Sequence, residues 1–378
     1  MTGGGDRPQM DKQIFVPGVG QHDNIGDIIL RRQLLDMLRP LGRLHIYVGA
    51  SPSGYDEALG LGPDDIVYRS FRGWYVRALK TTLRQETAYV FKPGEIQLTL
   101  IGMKEHIGML PLLALIRIRG GQVIRVGVGS RGFAPMPRAL MAPSIALSNL
   151  TLWRDTGTSR YMRGGLMPDL AFGEGEVQRM EADPDEFRNV LVVSMRSDRE
   201  YPPPAWLSAV REFAASKGLD IWAVTQVLRD NAKAVDLARD LGGQALEWDG
   251  TAHRDHEEKL RTLYRQTRVV VSDRLHVLVG SFTEGALPVA VLVDNSDKIA
   301  RHFEAAGING ISMSASGASQ ESIDRHLNSV LNRSDELFEG LAHARTELAV
   351  VETMIEALLS RTKYQDTGAF SSIGKVVG

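Results

Sequence analysis

Residues Val269 to Val293 read VVVSDRLHVLVGSFTEGALPVAVLV. A short apolar run, a polar corner at Ser272, Asp273 and Arg274, a longer apolar run, a turn and a third apolar run spell strand, corner, helix, turn, strand. Two strands joined through a helix lie parallel in one sheet, and an open parallel sheet binds its ligand in the crevice at the carboxyl ends of its strands. Ser272, Asp273, Arg274 and His276 fall on that edge. Arg274 offers a fixed cationic fork for a carboxylate or phosphate, and His276 puts an imidazole in the first turn of a helix. Two readings stand for this corner: an anion site with a proton-transfer group, or a capped helix start carrying a surface histidine.

The same alternation extends in both directions. Upstream in this half the pattern predicts strand Asn189 to Ser194, helix Ala205 to Ser216, strand Leu219 to Val224, helix Asn231 to Leu241, a short strand near Ala245 and helix His256 to Gln266. In the first half it predicts strands near Gln13 to Val16, Leu44 to Val48, Thr87 to Phe91, Gln122 to Val128, Ala146 to Trp153 and Asp169 to Phe172. The first helix is expected over Asp27 to Leu38, with Asp27 as its cap. From Gln320 to about Thr362 the apolar spacing is helical, with a break expected at Gly340. The chain therefore reads as α/β, with two Rossmann-like domains and C-terminal helices. The expected divisions are residues 1–180, a polar proline-containing linker at 181–188, residues 189–318, and helices with a mobile tail at 319–378.

Length agrees, since 378 residues suit two cores better than one. A net charge of −2 argues against nucleic acid as a partner. The chain has no cysteine, which excludes disulfides, thiolate metal sites and a cysteine nucleophile. With a polar start and no apolar run long enough to span a bilayer, the expected location is the cytoplasm. The most apolar stretch, Met109 to Ile116, is interrupted by Pro111 and reads as a buried or interfacial helix.

Four further places carry chemistry. Gly18 to Asp27, GVGQHDNIGD, lies between the first strand and the first helix; it is a ligand loop at a helix N-terminus, or a glycine-rich turn. It matches neither a phosphate loop nor a dinucleotide fingerprint. Arg154-Asp155 and Ser194-Met195-Arg196 each end a strand, where a solvated turn is the alternative. Lys298 follows the strand after the opening stretch, beside the same sheet edge or on a helix surface. His253 and His256 open a charged helix and are expected on a solvated face. No metal-ligand spacing is present and no metal is expected.

Taken in order, Asp23-Asn-Ile-Gly-Asp27, Arg154-Asp155 with Ser159, Asp169-Leu-Ala-Phe172, Ser194-Met-Arg196, Ser272-Asp-Arg-Leu-His276 and Lys298 resemble the motifs of the polysaccharide pyruvyl transferase family. The resemblance implies a GT-B-like arrangement and transfer of a pyruvyl group from phosphoenolpyruvate to two sugar hydroxyls as a cyclic ketal, with phosphate released and no cofactor. It places the donor at Arg154, Ser272, Arg274 and Lys298, with Arg274 and His276 as catalytic residues. The acceptor falls to Asp23, Asn24 and Asp27, and to Arg196 where it carries a nucleotide or pyrophosphate. That acceptor is a sugar of a cell-surface polysaccharide or its precursor, and a lipid-linked one would bring peripheral contact with the inner face of the membrane. Where family members commonly carry a G-G-G turn, this chain has Phe91-Lys-Pro-Gly-Glu-Ile96. That departure bears on the acceptor and is expected to leave the donor residues untouched. The rival expectation is a nucleotide-sugar glycosyltransferase, on the strength of the E-G-x-x-x-P-like stretch Ser281 to Pro288.

Overall fold

The computed structural model describes residues 12–175 and 188–360. Two wholly parallel sheets form its frame. The first contains β1 (Gln13–Pro17), β2 (Arg43–Tyr47), β3 (Ile66–Tyr68), β4 (Thr87–Val90), β5 (Gly94–Gln97), β6 (Gln122–Arg131), β7 (Leu150–Trp153) and β8 (Gly165–Leu166). Their order is 3-2-1-4-6-7-8, with β5 also paired to β6. The second contains β9 (Val190–Ser194), β10 (Asp220–Val224), β11 (Gln244–Leu246), β12 (Thr267–Ser272), β13 (Leu287–Leu292) and β14 (Ser312–Ser314), in the order 11-10-9-12-13-14. Sheets covered on both faces need strands apolar on both faces, and β9, VLVVS, and β13, LPVAVL, are buried at every residue. In each sheet the strand order reverses beside its first strand, between β1 and β4 and between β9 and β12. Those switch points are where such sheets open a crevice.

The helix Leu275–Thr283 links β12 to β13 and is buried at eight of its nine residues; only His276 is partly open. An all-round apolar helix has one stable place, the interior. It lies against β12, β13, the first helix (Ile25–Leu38) and the 3₁₀ turn Leu170–Gly173. Burial at roughly 1.5–3 kcal/mol per large apolar side chain therefore fixes where His276 stands.

Several boundaries differ from the pattern. Asp169 to Phe172 is not a strand: the Asp169 side chain accepts the Ala171 N–H (3.0 Å) and closes the 3₁₀ turn. The first helix begins at Ile25, and its cap is Asn24, whose side chain accepts the Asp27 N–H (3.4 Å). A helix Pro135–Ala146 precedes β7, which starts only at Leu150. The C-terminal helices, Gln320–Leu331 and Ser334–Ser360, part at Asn332 and Arg333. Gly340 lies inside the second, where a Cβ would come within 2.6 Å of Ile308 Cγ1, so its smallness serves packing. That helix returns to the first domain, where Arg345 donates to the carbonyls of Phe172 and Glu174. No helix among the described residues is long and apolar enough to cross a membrane. The linker at 181–188, save Arg188, and the tail beyond Ser360 lie outside the described residues.

Candidate active site

The switch points of the two sheets face one cleft of about 710 Å³. Asn24, Asp27, Arg154, Arg196, Arg274, His276 and Lys298 all line it. Residues from 24 to 298 thus meet because each follows the carboxyl end of a strand or opens the next helix. Two expected site residues stand elsewhere. Asp23 pairs with Arg229 at 3.3 Å on the partly exposed rim, outside the cleft lining. Ser272 is fully buried behind the wall, where its Oγ donates to the Ser194 carbonyl (2.5 Å) and accepts the Arg274 N–H (2.9 Å). It shapes the corner from behind.

Ten arginines and lysines line this cleft against six carboxylates, although the whole chain is slightly acidic. A cationic concavity in a low-dielectric wall concentrates anions. At its floor Arg154, with 1% of its surface exposed, pairs with the fully buried Asp169 (Nη1 to Oδ2, 2.7 Å). The His276 Nε2 lies 3.4 Å from Arg154 Nη1 and 3.6 Å from Asp169 Oδ2. Burial alone would raise the Asp169 pKa, but the Arg154 charge and the His276 contact overcome it and hold the carboxyl far below the usual range. Arg154-Asp155 is therefore no solvated turn. Asp155 caps the helix Thr156–Met162 through Thr158 N–H (2.8 Å) and holds Arg301 (2.9 Å).

Arg274 is gripped in two-pronged fashion by Asp230, with Nε to Oδ2 and Nη2 to Oδ1 both 2.7 Å. That fixes the guanidinium through its Nε–Nη2 edge. Beside it Asp273 accepts the Arg196 backbone N–H (2.8 Å) through Oδ1, while its buried Oδ2 has no partner. Burial pushes the Asp273 carboxyl up to about 6, against the opposing pull of the Arg196 N–H and the neighbouring arginines. The Arg196 side chain grips Asp198 (2.9 and 2.7 Å).

Lys298 opens the helix Lys298–Glu304 and forms an ion pair with Glu95 of β5, which also binds Arg131. Burial lowers the Lys298 pKa against the Glu95 charge. Burial would raise that of Glu95, but Lys298, Arg131 and Arg154 bring it to about 2. Glu95 belongs to the stretch Phe91 to Ile96, so the departure from the family's glycine turn does reach a donor candidate, contrary to expectation. His302, one turn beyond Lys298, is buried with Nδ1 on the Lys298 carbonyl (2.7 Å). The desolvation keeps it neutral.

The first-domain loop is tied to the second domain by backbone: Ile25 N–H to Gln226 O (3.2 Å) and Leu228 N–H to Asp23 O (2.9 Å). Gln226 in turn donates to the His276 carbonyl (3.0 Å). His253 and His256 are also buried, contrary to a solvated face: they bond the carbonyls of His22 (2.7 Å) and Thr225 (2.6 Å), and His256 stacks on Trp248. Asp169, Asp230, Glu95 and Gln226 are the partners that sequence spacing did not single out for the site. Each lies 44 or more residues from a cleft group it supports.

Among solved structures, the fold is similar to that of the Anabaena protein HepE in complex with UDP and glucose, at a TM-score of 0.52 and 10% identity over 94% of this chain and 100% of that one. It is likewise similar to a Listeria monocytogenes protein described as a UDP-N-acetylglucosamine 2-epimerase (TM-score 0.53, 11% identity, 91% and 97% covered). The glycosyltransferase of kitacinnamycin gives a TM-score of 0.50 at 13% identity, with 92% and 98% covered. These likenesses establish the two-domain GT-B architecture. No curated protein matches the sequence. The polysaccharide pyruvyl transferase profile, however, matches residues 24–294, which carry both walls of the cleft and its floor from Asn24 to His276, and the chain belongs to that family.

Proposed function

We propose that the protein moves the pyruvyl group of phosphoenolpyruvate onto two hydroxyls of one sugar in a polysaccharide or its precursor, closing a cyclic ketal and releasing phosphate. The observation that carries this reading is His276, the open residue of a buried helix, standing against the Arg154–Asp169 pair at the floor of a cation-rich cleft. Phosphoenolpyruvate brings a carboxylate and a phosphate, and Arg274 and Lys298 are the cations that meet them, with Arg154 behind.

The chemistry then follows in balanced steps. The enol π electrons take a proton from the His276 Nε2, forming the C3–H bond and leaving C2 as an oxocarbenium ion. One sugar hydroxyl adds to C2 and returns its proton to His276. Phosphate departs with the C2–O bond pair and takes up the proton of the second hydroxyl, whose oxygen closes the ring. Asp169 gives the imidazolium a counter-ion, and Arg274 and Lys298 take up the charge on the leaving phosphate. A positioned acid and base contributes about 10²–10⁴ in rate. Asn24, Asp27 and Arg196, which lie on the cleft wall, are the residues we assign to the acceptor. The reaction needs no cofactor beyond its donor.

A nucleotide-sugar glycosyltransferase shares the architecture, but the glutamate of the stretch Ser281 to Pro288, which reads E-G-x-x-P, does not serve it. Glu284 is buried in ion pairs with Arg261 (2.8 Å) and Arg265 (3.0 Å), outside the cleft lining. The test is to supply phosphoenolpyruvate or nucleotide sugars with a panel of saccharides. Phosphate release with gain of one pyruvyl ketal supports the proposal, and nucleoside diphosphate release supports the rival. His276→Ala should remain folded and lose nearly all transfer; a variant with undiminished activity removes His276 from this role.

A further inference from the structure

The outer face of the first domain is formed by two neighbouring helices, Phe71–Thr82 and Met103–Ile118. They lie side by side: the Tyr75 hydroxyl donates to the Gly108 carbonyl (3.2 Å) near one end, and Arg119 donates to the Leu83 carbonyl (3.3 Å) at the other. Their inner faces are spent on the core, where Trp74 and Ala78 from one helix and Met109, Leu112, Leu113 and Ile116 from the other close a cluster over the sheet. The apolar stretch from Met109 to Ile116 is thus mostly buried.

The outward faces combine two properties that surface helices usually separate. Phe71 and Val76 on the first and Leu83 just past its end are 44%, 39% and 58% exposed, and Ile107 and Ile118 on the second are 43% and 81% exposed. The loop Leu98 to Gly102 adds Leu100 at 57% and Ile101 at 77%. Interleaved with these are exposed Arg72, Arg77 and Lys80, and then Lys104, Arg117 and Arg119. The helix Phe71–Thr82 contains no acidic residue, and Glu105, the acidic residue of its neighbour, is bound to Lys92 (3.0 Å). Among the described residues, none of those six cations forms a carboxylate ion pair within 4 Å.

Large apolar side chains set among unpaired cations, with the opposite helix face already buried, complement a surface that is both anionic and oily. We infer that this two-helix face docks on an anionic lipid bilayer, with the side chains of Ile101, Leu100 and Phe71 entering the headgroup layer and the arginines meeting lipid phosphates. The docked edge adjoins the cleft, because Lys92, Glu95 and Gln97 line the cleft and the chain runs from Gln97 directly into the apolar loop. This inference stands independently of pyruvyl transfer.

The test is co-sedimentation of the full chain with vesicles of phosphatidylcholine alone or mixed with phosphatidylglycerol, at low and high salt. The expected result is binding to phosphatidylglycerol vesicles that weakens with salt and is much poorer on phosphatidylcholine. Each cation at an anionic surface strengthens binding by roughly fivefold. Arg77→Glu with Lys80→Glu should therefore lower the partition coefficient by about 25-fold or more, and Leu100→Ser with Ile101→Ser should lower what survives at high salt. Arg325→Glu, on the other domain, should bind as the parent does. Thermal melting shows whether each variant stays folded. Equal binding to both vesicle types, or indifference to both double substitutions, overturns the inference. So does light scattering that finds this face buried in a dimer which Arg77→Glu dissociates.

Discussion

Gly26 and His276 touch across the domain boundary: a Cβ on Gly26 would lie 2.4 Å from the His276 Cβ and 2.7 Å from its Nδ1. The glycine of the Asp23 to Asp27 loop is thus the floor on which the histidine ring rests. Gly26→Ala offers the helix up to about 1 kcal/mol in propensity. The overlap must nonetheless be relieved by displacing His276, and a misplacement near 1 Å can cost about a hundredfold in rate. The expected outcome is a loss of kcat of tenfold or more in steady-state assays (on the order of 10–10²), together with a lowered melting temperature, because backbone must shift to admit the new Cβ at an overpacking cost of about 1–3 kcal/mol. Unchanged kcat would show that the ring position is not critical.

Asp169 neutralises a fully buried Arg154. Asp169→Asn leaves that guanidinium without a counter-ion and should cost roughly 3–5 kcal/mol in denaturant unfolding. Because the folded carboxyl titrates below its ordinary value, its contribution is fully present above that value and is lost as pH falls toward the depressed one. The acid limb of the stability curve should therefore flatten in the variant.

Asp273 predicts the opposite sign. Its folded pKa is pushed up to about 6, above the ordinary carboxyl value, so the folded state binds the proton more tightly. Stability should decline as pH rises from about 4 to about 6, by something on the order of 2–3 kcal/mol, and level off above. Asp273→Asn keeps an oxygen for the Arg196 N–H and cannot titrate. Denaturant midpoints measured across that window should lose this downward slope, and a slope that persists assigns it elsewhere.

Glu95 and phosphoenolpyruvate compete for Lys298 on the proposed reading. Lys298→Met should raise the KM for phosphoenolpyruvate by about tenfold or more, the scale of one charge-assisted contact at ~1.5–3 kcal/mol. Glu95→Gln removes the competitor and should lower KM instead. Donor titrations that move both variants in the same direction would show that the ion pair acts only as scaffold.

The sequence made five of the six strands of the second sheet legible to within about two residues, because buried strands such as Val190–Ser194 and Leu287–Leu292 show as apolar runs, and the helix Asn231–Leu241 fell at its expected bounds through its amphipathic spacing. Ile66–Tyr68, Gly94–Gln97, Gly165–Leu166 and, in the second sheet, Ser312–Ser314 escaped because two to four residues with polar neighbours carry no periodic signal. At the site, the cations and the histidine stood out at strand ends, while their partners did not. Asp230 lies 44 residues from Arg274, and Glu95 lies 203 from Lys298. Only folding joins them. Asp169, quoted for its resemblance, looked like part of a strand because Leu170, Ala171 and Phe172 are apolar, and its side-chain turn overrode that pattern.

The fastenings between the domains are unequal along the cleft. At the Asn24–Val227 bridge backbone hydrogen bonds stand beside the Asp23–Arg229 pair, while between the helix Lys298–Glu304 and the first domain the ties are side-chain pairs, Lys298 with Glu95 and Arg301 with Asp155. The two sides of the cleft are thus joined by different kinds of bond. Because burial shields those pairs from salt, added electrolyte should disturb the Arg301–Asp155 contact least and the more open Lys298–Glu95 contact more, so the two lips of the cleft are held together with unequal sensitivity to the surrounding medium.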